Sequence, residues 1–131
     1  MVQEEENTLM INRPLTAALF AMITGTGWAG EADVLDVKVQ KSGDGVYRFD
    51  VTVRHADTGW DHYANKWEIV APDGTVLATR VLAHPHVQEQ PFTRSKGGVE
   101  VPAGVTQVIV RAGDSVHDIG GAEIIVDLPT E

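Results

Sequence analysis

The sequence predicts an all-β protein: a seven-stranded antiparallel sandwich of immunoglobulin-like, fibronectin type III-like kind, behind an N-terminal signal segment. Three observations predict it. Apolar and polar residues alternate with a period of two in several short runs. Clusters of Gly, Pro and Asp separate those runs. No stretch after residue 29 carries the apolar period of a helix. A small closed barrel is the alternative way to finish the same strands.

The first strand is expected at 34–40, with Leu35, Val37 and Val39 on one face and Asp36, Lys38 and Gln40 on the other. KSGDG, residues 41–45, is a hairpin-type turn. The second strand, 46–54, alternates most cleanly: Tyr47, Phe49, Val51 and Val53 against Arg48, Asp50, Thr52 and Arg54. The third, 66–71, puts Trp67, Ile69 and Ala71 on one face, and Trp67 is expected to be the core tryptophan of the sandwich. PDG at 72–74 leads into a fourth strand at 75–83. A short fifth strand falls near 98–101, PAG at 102–104 turns the chain, and the last two strands are 106–112 and 122–128.

The chain of 131 residues suits one domain, which we place at 30–131 after an N-terminal extension and signal peptide at 1–29. Met10 and Arg13 supply a start and a positive charge, and 15–23, LTAALFAMI, is an apolar run of secretory length. Gly27 and Ala29 form a small-residue pair for cleavage before Gly30; Gly30 and Ala32 form a second. The glutamates of MVQEEENTL, 1–9, do not suit a signal peptide and read as an extension ahead of Met10. The alternative is an amphiphilic helix on a cytoplasmic protein. Export implies a periplasmic or secreted domain with no membrane contact after cleavage. The net charge of −9 opposes nucleic acid and anionic membranes. The absence of cysteine removes disulfides, thiolate metal sites and thiol nucleophiles.

If successive strands reverse direction, the tight turns 41–45, 72–74 and 102–104 share one end of the sandwich. The long loops 55–65, 84–97 and 114–121 then share the other, and they hold all five histidines: His55, His62, His84, His86 and His117. Imidazole is the commonest protein ligand for zinc and copper. In an extended H-P-H run, His84 and His86 face the same way roughly 6–7 Å apart. His117, with His55 or His62, would complete a site on one ion. Asp57, Asp61, Glu89, Asp114 and Asp118 offer oxygen ligands or partners that orient the rings. With no Cys or Met after residue 29, the expected ion is Zn or Cu(II). The competing reading of the H-P-H run is a rigid turn with solvated rings; His55 could simply cap its strand, and His62 could pack on Tyr63.

The rival function class is a non-metal binding module for a carbohydrate, peptide or partner protein. Trp60, flanked by Gly59 and Asp61, and the segment Phe92 to Arg94 would be its contacts. The loop DTGWD lacks the ligand ladder of a calcium site. Ser95 and Ser115 share the loops with histidine and aspartate, but no nucleophile-elbow or phosphate-loop pattern exists, so the sequence leans away from an enzyme.

The run GDGVYRFDVTVRHADTGWDHYANKWEIVAPDGTVL, followed by LAHPHVQEQPFTR and VIVRAGDSVHDIGG, resembles a group of small exported bacterial proteins with no assigned activity. The likeness covers most of residues 30–131 and implies export without transferring any catalytic residue. VIVRAGDSVHDIGG also resembles the sixth strand and following loop of fibronectin-like modules, which implies the fold alone.

Overall fold

The computed structural model describes residues 30–131; the signal-like segment lies outside the described residues. Among the described residues eight strands follow one another without a helix: β1 (Asp33–Gly43), β2 (Val46–Arg54), β3 (Ala64–Val70), β4 (Val76–Val81), β5 (Phe92–Glu100), β6 (Gln107–Asp114), β7 (Asp118–Ile119) and β8 (Ile124–Asp127). They form two antiparallel sheets. The first has the order β1-β2-β5. The second runs β4-β3-β6-β7, with β8 also paired to β6. One core joins them, drawing Phe49, Val51, Val53 and Phe92 from the first sheet and Trp67, Ile69, Val108 and Val110 from the second. The arrangement is that of a β-sandwich.

Strand β2 follows its pattern. Tyr47, Phe49, Val51 and Val53 are buried, while Arg48 and Arg54 are exposed. Trp67, on β3, has no exposed surface. In β1 the pattern misleads by one position. A bulge between Val34 and Asp36 shifts the register against β2. An extra residue in one strand rotates the side chains on one side of it relative to the other. Val34 is therefore buried at 3 %, whereas Leu35 is 39 % exposed.

Two departures bear on the site. The strand count is eight, because Asp118 and Ile119 pair with Asp114 and Gly113 inside the last long loop. Strand β5 begins at Phe92, not near Gly98, and its pairing with β2 runs from Val53↔Phe92 to Val46↔Glu100. Its middle, TRSKGG, offers no apolar alternation, so only the partner strand reveals it. Phe92 and Arg94 thus belong to a strand, and Phe92 is core, 2 % exposed.

Candidate metal centre

The loop leaving β2 is short of slack and turns on its own backbone. The Asp57 N–H donates to the His55 carbonyl, and Thr58 and His62 bond across a small bridge at Gly59. This folding carries Asp57 inward and aims His62 back at His55. The Asp57 carboxylate is fully buried and accepts three hydrogen bonds. The Ala64 N–H donates to Oδ1 at 3.0 Å and the His86 N–H to Oδ2 at 2.7 Å. The third donor is His55 Nδ1, 2.5 Å from Oδ1. An ionised carboxylate only accepts, so Nδ1 carries the hydrogen and, in the neutral ring, Nε2 is left with its lone pair.

His55 Nε2 points at a set of acceptors. Gly30 O lies 2.7 Å away, His62 Nε2 3.3 Å and Asp114 Oδ2 3.4 Å. His62 Nε2 is 3.1 Å from Gly30 O and 3.5 Å from Asp114 Oδ1. Lone pairs converging at these distances need positive charge among them, either protons on the rings or a cation. His55, His62 and Asp114 together offer three ligating atoms within 4.8 Å of one another. Tetrahedral bonds of roughly 2.0–2.1 Å, the zinc–nitrogen length, imply ligand-to-ligand edges of about 3.3 Å. The two ring nitrogens, 3.3 Å apart, match that edge, and the Asp114 carboxylate faces them with one oxygen toward each ring, Oδ2 at 3.4 Å from His55 and Oδ1 at 3.5 Å from His62.

Asp114 ends β6 and is held as firmly as His55. Its Oδ1 accepts the N–H groups of Val116 and His117 at 2.8 and 2.6 Å. His117 Nδ1 lies 3.1 Å from its Oδ2. Burial pushes the Asp114 carboxyl up, but these amides and the His117 ring outweigh it and hold it below the ordinary carboxylate value. The group is an anion ready to accept a cation. A cavity of about 340 Å³ opens on the His55 and Gly30 side of the cluster, bordered also by Arg54, Asp33 and Gln90.

The five histidines fall into two groups. His117 packs on His62, ring centroids 5.0 Å apart, and belongs with His55 and Asp114. His84 and His86 lie 4.7 Å apart in a second group, where His86 stacks on Phe92 at 4.0 Å. The Arg94 guanidinium donates to His86 Nε2 at 2.8 Å and to Glu89 at 3.1 Å. A guanidinium on the ring nitrogen opposes a second cation there. Burial and then Arg94 push the His86 ring below its ordinary value. The structure thus separates His84 and His86, expected to share a site with His117, from the group formed by His55, His62, His117 and Asp114. Asp57 links the groups, bonding the His55 ring and the His86 amide.

The remaining candidates stand apart. Asp118 adopts a left-handed φ of 59° and pairs with Lys66 at 3.0 Å. Asp61 is exposed, and Glu89 faces Arg94. Trp60 is 67 % exposed, edge-on to Tyr63 at 5.5 Å. Ser115 Oγ accepts the Tyr63 N–H and has a structural role. Sequence reasoning missed Gly30, whose contribution is a backbone oxygen with no side-chain signal. Among the described residues no helix is long and apolar enough to cross a membrane.

No established protein family matches this chain, and no solved structure does. The chain is 43 % identical over 97 residues to a protein of Halomicrobium mukohataei named "Putative lipoprotein". The aligned part is 74 % of this chain and 47 % of that protein, so this chain spans about half the length of the relative it matches.

Proposed function

We propose that the protein is an exported β-sandwich domain of immunoglobulin or fibronectin type III kind that binds a divalent transition metal ion, zinc or copper(II), through His55, His62 and Asp114. One observation carries the reading: one ligating atom each from His55 and His62, in the loop after β2, and from Asp114, at the end of β6, lie within 4.8 Å of one another, and the lone pair of His55 is aimed at them by Asp57. Imidazole nitrogen and carboxylate oxygen, with no thiolate, suit these ions better than Cu(I). Export is supported by the signal-like run at 15–23 and by the name of the Halomicrobium relative. The fold type is supported by strand adjacency. β5 leaves the second sheet to pair with β2, and β6 pairs with β3 and β8. Immunoglobulin sandwiches have the same neighbours, with a tryptophan on their third strand, the place of Trp67.

The test is calorimetric titration of the apo-protein with zinc and with copper(II), together with thermal melting. An ion at 100 times its Kd should stabilise the fold by about 2.7 kcal/mol. His55→Ala, His62→Ala and Asp114→Asn should each remove most of the binding, and His84→Ala should not. No binding by wild type, or equal binding by all variants, would overturn the reading.

Exposed Trp60 favours a second reading, a contact for a carbohydrate or partner protein at the same end. Glycan binding that is lost in Trp60→Ala and indifferent to chelators would support it.

A further inference from the structure

The position of Gly30 points to more than a three-ligand site. Its carbonyl oxygen lies 2.7 Å from His55 Nε2 and 3.1 Å from His62 Nε2, the same two nitrogens that the Asp114 carboxylate approaches at 3.4 and 3.5 Å. Its φ of +112° is one that residues with a side chain rarely adopt. A Cβ at this position would stand 2.9 Å from His117 Cε1 and 3.0 Å from His62 Cε1. Glycine is thus the residue that lets the backbone come this close to the rings, and the close approach delivers an oxygen. With Nδ1–H of His55 donated to Asp57, a neutral ring presents a lone pair to that oxygen across 2.7 Å, a contact that a proton on Nε2 or a cation shared by the two atoms must bridge.

We infer that the Gly30 carbonyl oxygen is the fourth ligand, so that the ion is held in a closed site of two imidazoles, one carboxylate and one backbone oxygen. The inference rests on the metal-binding reading above and gives that site a role. Zinc sites with four protein ligands are structural, whereas catalytic ones keep a position for water or substrate. Here the four ligands come from the residue leading into β1, from the loop between β2 and β3, and from the end of β6. The ion is a clasp. It ties the point where the chain enters the sandwich to both sheets, and its loss frees that point without dissolving the core.

The chain contains one Gly-Glu dipeptide, Gly30-Glu31. Full-length protein labelled with carbonyl-13C glycine and 15N glutamate therefore gives a single carbonyl–amide correlation, at Gly30. Added zinc should move that carbonyl carbon further than any other glycine carbonyl. It should also slow hydrogen exchange at 31–34 more than at β4. Gly30→Ala should weaken zinc by tenfold or more. If zinc binds by calorimetry but the Gly30 carbonyl moves no more than the others, the fourth ligand is not Gly30 and the clasp is overturned, while the three-ligand site stands. If zinc does not bind at all, both fall. Should Gly30→Ala fail to fold, the wild-type labelling result decides alone.

Discussion

Asp57 is the residue on which the site turns. Its side chain touches no proposed ion, yet it fixes which nitrogen of His55 is free. Asp57→Asn keeps the shape but removes the negative charge behind the His55 ring and sets an NH2 against one of the donors that the carboxylate now accepts. Metal affinity should fall 10- to 100-fold, as is usual when a carboxylate behind a ligating histidine is lost. Calorimetry on the folded variant checks this. His86 makes a different prediction. Its folded value lies below the ordinary 6.5, so as pH falls below about 6.5 the unfolded chain takes up a proton that the folded chain refuses. Stability is lost across the window between 6.5 and the lower folded value. His86→Gln should melt with a shallower pH dependence there than wild type; parallel curves would show that the ring is not held neutral. The residue types of the site were readable, since His55, His62, Asp57 and Asp114 all stand out in loop segments. Their grouping was not, because it depends on side-chain direction in irregular backbone, which no period encodes. Arg94 illustrates the point: only the observed pairing of β5 shows that it reaches the His86 ring.

At the scale of elements, period-two alternation was a reliable guide where both edges of a strand are paired. β2 lies between β1 and β5, and every one of its expected core residues is buried. Phe49→Ala should cost about 3–5 kcal/mol, and Arg48→Ala, with its side chain 52 % exposed, should stay within about 0.5 kcal/mol. Denaturant titration separates the two. The pattern failed where a bulge or a run of polar residues and glycines breaks it, in β1 and β5. The bulge in β1 carries its own test. Val34→Ala should destabilise clearly and Leu35→Ala little, the reverse of what the plain alternation implies. Equal losses would place the register shift elsewhere.

For the whole molecule, the alternation of strand direction does the sorting. Tight turns such as that at Asp44 and Gly45 collect at one end, leaving the long connections to meet at the other. Hence the gathering of histidines was visible in the sequence even though the strand count was one short: β7 is a two-residue pairing inside the last long loop, and the tight turn that leads into it keeps His117 against His62. The charge of −9 acts at this scale too. Salt screens self-repulsion, so the melting temperature of the metal-free protein should rise between low and roughly molar sodium chloride; a fall would mean that surface ion pairs dominate. One feature reaches into kinetics. Asp114 pairs with Ala64 across the junction of β6 and β3, a contact fifty positions apart in the chain (114 − 64), and it meets His55 and His62 only when that junction has closed. Such long-range closure comes late. If it follows the folding barrier, the ion finds no complete ligand set in the transition state and acts on the unfolding limb alone. Stopped-flow folding in zinc should then show unchanged refolding rates and slower unfolding, so that the metal works as a timer on how long each molecule stays folded.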